Sequence, residues 1–301
     1  MKPRSGRRFH RCLLLVLCAC GPAVAAIELP QPDGGTLSLE SPASTLITLA
    51  PGVTELVYAA GAGQRIVATV EFSDYPEAAA RLPRIGDAFR FDLERILALQ
   101  PDLVIAWDSG NPSQAVQRLE SLGLKVWRTE LRKPSDIAQL LRLIARATGL
   151  ADNGTADKVD TRLATLAKTY ADQPPVRYFY QVAERPLFTL NGEHIVSQGI
   201  SLCGGVNVFA DETVLAPQVS REAVIHADPD VLIAPRLDGQ DDPLAQWRDW
   251  PRMTAVGNGA LVYLPADKIS RATPRMLDSL EAGCKLLDRA RQHPSKQAEE
   301  A

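Results

Sequence analysis

Aromatic and charged residues stand out where the pattern of this chain places the ends of buried strands. Phe72 follows an apolar run at 66–70, in Phe72-Ser73-Asp74-Tyr75-Pro76, and Trp107-Asp108 closes the run at 103–106. Ala50-Pro51-Gly52 follows the run at 46–49, and Asp267 and Arg271 follow the run at 261–264. Aromatic rings with a few polar groups suit a large, flat, partly apolar ligand that carries amides. The plainer reading of Phe72 and Trp107 is core packing, because aromatics are usually buried. For Asp267 and Arg271 it is a local surface ion pair. Catalytic chemistry has little to build on. His194, His226 and His293 are widely spaced and form no H-E-x-x-H or H-x-H pattern. No G-x-S-x-G elbow, phosphate-binding Gly-rich loop or C-x-x-C occurs. A dedicated metal site needs several converging His or carboxylates, and the residue order asks for none.

The elements that must position these residues alternate. Runs at 46–49, 66–70, 103–107 and 126–127 read as strands, the third a buried, non-alternating one. Segments 53–60, 93–99, 112–122 and 134–150 read as helices, with Ile137, Leu140, Leu141 and Ile144 at helical spacing in the last. Strand, helix, strand, helix predicts a parallel sheet covered by helices. A hairpin is predicted over 29–39, turning at Asp33-Gly34-Gly35. Residues 151–170 are polar with one apolar seam, Val159, Leu163, Leu166 and Tyr170, which predicts a single long helix. Pro174-Pro175 ends it. A second alternating series begins at 176–180 and runs to a helix after Pro274. Residues 94–106 and 222–234 match each other, a helix closing at a Pro-Asp turn that feeds a buried strand. The expected organisation is an export signal over 1–25, an extension over 26–43, a first lobe over 44–150 and a linking helix over 151–173. A second lobe over 174–293 and a polar tail over 294–301 complete it. Ligand-contacting loops of parallel sheets lie at the C-terminal ends of their strands, so the lobes are expected to face each other across a cleft.

The first residues look like a targeting signal. Lys2, Arg4, Arg7, Arg8 and Arg11 precede an apolar run from Cys12 to Cys20, and Ala23-Val24-Ala25-Ala26 supplies small residues for cleavage. That run is far shorter than the about 20 residues that span a bilayer. Leu17-Cys18-Ala19-Cys20 offers an alternative, a lipoprotein site with Cys20 acylated. The 301 residues carry 33 basic and 36 acidic side chains, a net charge of −3. Cleavage near Ala25 removes five bases and no acid, leaving 28 against 36 and a charge of −8. Such a chain has no basic surplus to hold nucleic acid. Of five cysteines only Cys203 and Cys284 remain. One pair in an exported chain suggests a disulfide, with two buried thiols as the alternative.

Several blocks are recognisable. They are Ile47-Thr48-Leu49-Ala50-Pro51 with Thr54-Glu55-Leu56, Ser73-Asp74-Tyr75-Pro76, and the run from Leu93-Glu94-Arg95-Ile96 to Ile105-Ala106-Trp107. Cys203-Gly204-Gly205 with Asn207-Val208-Phe209, Pro217-Gln218-Val219-Ser220-Arg221-Glu222, Arg271-Ala272-Thr273-Pro274-Arg275 and Cys284 follow. Through most of 45–290 the chain resembles the periplasmic cobalamin-binding proteins of ABC importers, within the helical-backbone (class III) substrate-binding family.

The resemblance implies an α/β fold of two lobes, each a mostly parallel sheet covered by helices, joined by one long helix. It implies that cobalamin, as a transported ligand and not a catalytic cofactor, is held between the lobes of a periplasmic monomer. That monomer would work at the membrane surface and deliver its ligand to an ABC permease and its ATPase. It implies that Cys203 pairs with Cys284. Pro51, Phe72, Phe89, Trp107 and Trp247 carry over as apolar ligand contacts, with Phe91 as the other aromatic of the Phe89 loop. Asp267, Lys268, Ile269, Ser270 and Arg271 carry over as the polar contact to the corrin rim. Relatives present a carboxylate on each lobe to the permease. Asp249 fills that role in the second lobe and Glu120 in the first, where Asn111-Pro112-Ser113-Gln114 has no acid. The alternative ligand on the same fold is a ferric siderophore or haem, and the alternative class is a secreted hydrolase.

Overall fold

Strands that carry apolar residues at consecutive positions need cover on both faces, and the first sheet shows how this is met. In the computed structural model, which describes residues 26–292, an antiparallel hairpin of β1 (Ile27–Pro30) and β2 (Thr36–Leu39) comes first. Then follow β3 (Leu46–Thr48), α1 (Pro51–Ala59), β4 (Ile66–Thr69), α2 (Glu77–Ala80), α3 (Leu93–Ala98) and β5 (Leu103–Trp107). The lobe closes with α4 (Ser113–Ser121), β6 (Val126–Thr129) and α5 (Ser135–Thr148). The sheet is parallel, in the order β4-β3-β5-β6. Along β5, Leu103 and Ile105 enter one hydrophobic cluster while Val104 and Ala106 enter another on the opposite face. The expected export signal, with Cys20, and the polar tail lie outside the described residues.

Local signals end these elements as elementary chemistry requires. Pro51 opens α1, where its missing N–H costs nothing. The Asp92 carboxylate accepts the Arg95 N–H and caps α3. Gly149 takes the left-handed conformation that closes α5. The hairpin shields β6, the edge strand, by side-chain contacts: Trp127 donates to the Pro30 carbonyl and the Gln31 amide oxygen accepts the Arg128 N–H.

Helix α6 (Thr155–Tyr170) carries the expected seam, with Val159, Leu163, Leu166 and Tyr170 buried. One continuous hydrophobic cluster runs from Leu46 and Leu103 of the first sheet through this seam to Val176 and Val231 of the second lobe. Arg142 of α5 pairs with Asp157 and Asp160 of α6, and Arg162 of α6 pairs with two carboxylates of the last helix. The linking helix therefore shares a core with both lobes, which limits rigid-body motion between them.

The second lobe contains β7 (Val176–Tyr180), the short hairpin β8 (Ala183–Glu184) and β9 (Leu187–Phe188), α7 (Ile195–Ser201) and β10 (Gly205–Asn207). It continues with α8 (Arg221–Ala227), β11 (Val231–Arg236), α9 (Thr254–Gly257), β12 (Leu261–Pro265), α10 (Ala266–Ile269) and α11 (Met276–Arg291). Its main sheet is parallel in the order β10-β7-β11-β12. A disulfide joins Cys203, just after α7, to Cys284 on α11, with the Cα atoms 5.5 Å apart. Among the described residues no helix is long and apolar enough to cross a membrane.

Candidate functional site

The C-terminal ends of both sheets meet where α1 of the first lobe abuts the segment after β12 of the second. A Cβ placed on Gly52 would stand 3.9 Å from the Arg271 Cβ. Phe72 lies at this junction, after β4. Its φ is +64°, a left-handed conformation that a bulky side chain rarely adopts, and the residue is 74% exposed. Two contacts hold it there. The next residue, Ser73, sinks its hydroxyl into a buried group of hydroxyls with Thr69 (2.9 Å) and Thr54 (3.2 Å), and Thr48 bonds to both of those threonines. From the other lobe, Arg271 donates to the Phe72 carbonyl at 3.0 Å.

Two more rings are presented by anchored loops. Phe89 is 67% exposed on a turn in which one Asp87 oxygen accepts the N–H groups of Phe89 and Arg90, both at 2.7 Å. Trp107 is 40% exposed at the end of β5. Its indole lies over Gly110 so closely that any Cβ there would come within 1.9 Å of the ring. The buried amide of Asn111 ties these pieces together. Its oxygen accepts the Trp107 N–H at 2.7 Å, and its nitrogen donates to the carbonyls of Leu49 (2.9 Å) and Ala88 (2.8 Å). Thus one side chain fixes the end of β3, the Phe89 loop and Trp107 relative to one another.

Two parallel sheets, a shared linking helix and loops that meet where α1 faces the segment after β12 define the architecture. Residues 46–268 match the family model described as periplasmic binding protein. This chain belongs to the periplasmic binding protein family. It is 39% identical over 249 residues to a Vibrio cholerae protein named vitamin B12-binding protein, covering 82% of this chain and 90% of that one. A Yersinia pestis protein of the same name is 36% identical, covering 80% and 85%. The crystal structure of the periplasmic vitamin B12-binding protein BtuF of Vibrio cholerae superposes with a TM-score of 0.73 at 38% identity, covering 83% of this chain and 98% of that one. The haem-binding protein HutB of Vibrio cholerae matches at TM-score 0.64 and 22% identity, covering 81% and 98%, a likeness of fold alone.

In this periplasmic binding protein the second lobe brings its own polar set. Asp267 accepts from Arg275 at 3.0 Å, Lys268 lies 3.5 Å from Asp278, and Ser270 is exposed. Ile269, expected among these contacts, is instead buried in the core, because it sits on the inner side of α10. Trp247 is a clearer correction. It is wholly buried, donates its indole N–H to Gln181 at 2.7 Å and packs edge-on against Phe179. Leu244 and Trp247, three residues apart, form one apolar side of a short 3-10 turn that closes the second lobe's core. Trp247 therefore offers no surface to a ligand in this conformation.

Residues that sequence reasoning did not assign to the site, together with Arg271, join the lobes. Arg275 reaches the carboxylate of Glu55 on α1 with two nitrogens, each at 2.8 Å, and Thr273 donates to the same carboxylate at 2.5 Å. The Tyr75 ring lies 3.8 Å from the Arg275 guanidinium carbon. Arg271 bonds Asp74 at 2.6 Å and stands 3.9 Å from Glu55. The Glu55 hydrogen bonds raise the Arg275 pKa above its ordinary value despite partial burial. Partial burial opposes ionisation of Asp74, but the Arg271 hydrogen bond and charge outweigh it and hold its carboxyl below the usual range. A Glu at helical spacing in an apolar segment was the available signal, since a buried carboxylate demands a partner.

His194 is largely buried, and that burial, aided by Arg132, depresses its pKa to about 4. Its Nδ1 accepts the Val196 N–H and caps α7. Among the described residues no group of three or more His, Cys, Asp and Glu is placed to hold a metal ion.

Of the carboxylates expected to face a permease, Asp249 is exposed. Glu120 lies near the C-terminal end of α4 and within 3.5 Å of Arg128, which Asp33 and Asp108 also engage. The internal repeat places another pair symmetrically. Glu94 and Glu222 occupy the first turns of α3 and α8, each behind a side-chain cap (Asp92 and Ser220), and both are exposed. Each of these helices leads into the N-terminal end of the next strand, β5 or β11, so its first turn points toward the end of the sheet where the strands finish.

Proposed function

We propose that this binding protein captures cobalamin or a related corrinoid between its lobes in the periplasm and hands it to an ABC permease and its ATPase. The observation that carries the reading is the exposure of Phe72, Phe89 and Trp107 at or after the ends of the first sheet's strands. Three large rings stand exposed on anchored backbones, although folded chains usually bury such residues. Broad apolar faces with a rim of amides match a corrin ring, and Arg271 and Asp267 suit that rim. The printed name of relatives at 36–39% identity supports the same ligand. Cobalamin is cargo in this reading, and no residue is asked to perform catalysis. Pro51, Ser270 and Lys268 complete the contact set, and delivery is by a monomer docking at the membrane surface.

Calorimetric titration of the processed protein with cyanocobalamin tests the reading. A roughly one-to-one complex that keeps the corrin absorbance is expected. No heat and no retained colour would overturn it. The docking contacts that fit best are Glu94 and Glu222, because both are exposed at matching positions of the internal repeat while Glu120 is engaged by Arg128.

A further inference from the structure

The guanidinium groups at the second-lobe rim of the cleft are both spoken for. Arg271 is matched by Asp74 at 2.6 Å, and Arg275 by Glu55 and Asp267 at 2.8 and 3.0 Å. Lys268 is matched by Asp278. Around the two arginines stand three carboxylates, Glu55, Asp74 and Asp267, so the cluster carries no positive surplus. The Tyr75 ring covers one face of the Arg275 guanidinium. Two of the matching groups, Glu55 and Asp74, come from the opposite lobe, where nothing about holding the second lobe's own fold requires them.

Flat macrocycles differ at their rims. A porphyrin such as haem carries free carboxylates, and an anionic ligand of this kind needs unmatched cations or strong charge-assisted donors. A corrin rim of neutral amides needs hydrogen-bond donors without net charge. Arg271 has five N–H donors, of which Asp74 and the Phe72 carbonyl take only part, so N–H groups remain for an amide oxygen while its charge is masked. We infer that Asp74 is a specificity-determining residue: by pairing Arg271 across the lobes it masks the charge Arg271 would offer an anionic macrocycle and leaves a donor suited to an uncharged, amide-rimmed one. This rests on the cobalamin reading for the favoured ligand, but the rejection of anions stands on the charge cluster itself. Arg90, beside Phe89, is exposed on its loop and is present alike in the wild type and in every position-74 variant.

The test titrates the processed wild type, Asp74→Asn and Asp74→Ala with hemin and with cyanocobalamin, at low and at high salt. Asp74→Asn keeps an oxygen that accepts from Arg271 while removing the charge, so it separates electrostatics from geometry. Hemin affinity is expected to rise about fivefold in Asp74→Asn, and the gain to shrink at about 1 M salt, since one unmasked charge near a wet surface is worth about that much and is screened. Adding Arg271→Gln to Asp74→Asn is expected to abolish the gain. Cyanocobalamin affinity of Asp74→Asn is expected to change less than the hemin affinity. Hemin affinity unchanged or lowered in both single variants, or a gain that survives loss of Arg271, overturns the inference. Wild type that fails to bind cyanocobalamin overturns the cobalamin reading instead, and leaves the hemin comparison to decide the role of Asp74.

Discussion

Arg275 and Glu55 meet across the two lobes as a fork on a carboxylate, two nitrogens on two oxygens, each contact 2.8 Å. Glu55 is on the first helix of the first lobe and Arg275 lies 220 residues later, at the start of the last helix. The Glu55 side chain is only 3% exposed, so the pair is shielded from water. Removing one member of a buried pair leaves an uncompensated charge and costs about 3–5 kcal/mol. Arg275→Ala is expected to lower unfolding stability by that amount in a urea titration. A loss below about 1 kcal/mol would show that the pair is dispensable.

Two tryptophans should behave oppositely. Trp107→Ala removes an exposed ring and is expected to weaken cobalamin binding by about 1–3 kcal/mol with little change in melting temperature. Trp247→Ala removes a wholly buried one and is expected to destabilise the fold by about 3–5 kcal/mol. Calorimetric affinity and thermal melting, measured on both variants, separate the roles. Equal affinity in wild type and Trp107→Ala would leave that ring without a ligand role.

Stability should fall on mild acidification. The His194 pKa is about 4 in the fold against an ordinary 6.5. Above pH 6.5 the side chain is neutral in both states and carries no penalty. As pH falls from 6.5 to 4 the unfolded chain takes up a proton that the folded one refuses, and up to about 3 kcal/mol of stability is lost. Asp102 adds a second window. The Ser44 hydroxyl bond first, opposed by modest burial and aided by the Ser44 and Thr45 N–H groups, holds its pKa at about 2 against 3.8. Its stabilisation is present above pH 3.8 and lost as pH falls through 2. Because that carboxylate is mostly exposed, its share is about 1 kcal/mol at most. His194→Asn, which keeps a capping oxygen, should flatten urea midpoints between pH 6.5 and 4. An unchanged slope there would remove His194 from the account.

Docking separates along charge position. Glu94→Arg with Glu222→Arg is expected to abolish cobalamin transport with the cognate permease in vesicles while leaving cobalamin affinity unaltered. Glu120→Gln with Asp249→Asn is expected to reduce transport much less. The reverse ranking would return the docking role to Glu120 and Asp249.

Most of the architecture was legible along the chain. The buried runs at 103–106 and 178–180, the helix end at Gly149 and the Pro174-Pro175 pair shortly after α6 are local signals, set by side-chain hydrophobicity and backbone chemistry, and the strands and helices follow them. The seam of α6 was equally plain, because burial on one helical face imposes a 3.6-residue period. Aromatics after strand ends were visible too, but exposure was not. Phe72 and Trp247 are both large rings in a sequence, and only packing decides that one stands in solvent and the other closes a core.

Sequence alone thus determined the two parallel sheets, the helix between them, the cysteine pair and the rings at the strand ends, since each depends on residues close along the chain or on composition. Tertiary structure alone decided which carboxylate meets which guanidinium. Glu55 with Arg275, and Asp74 with Arg271, are about 200 residues apart, and charge pairing has no period that a sequence displays. Its partners are set by how the two lobes are brought together.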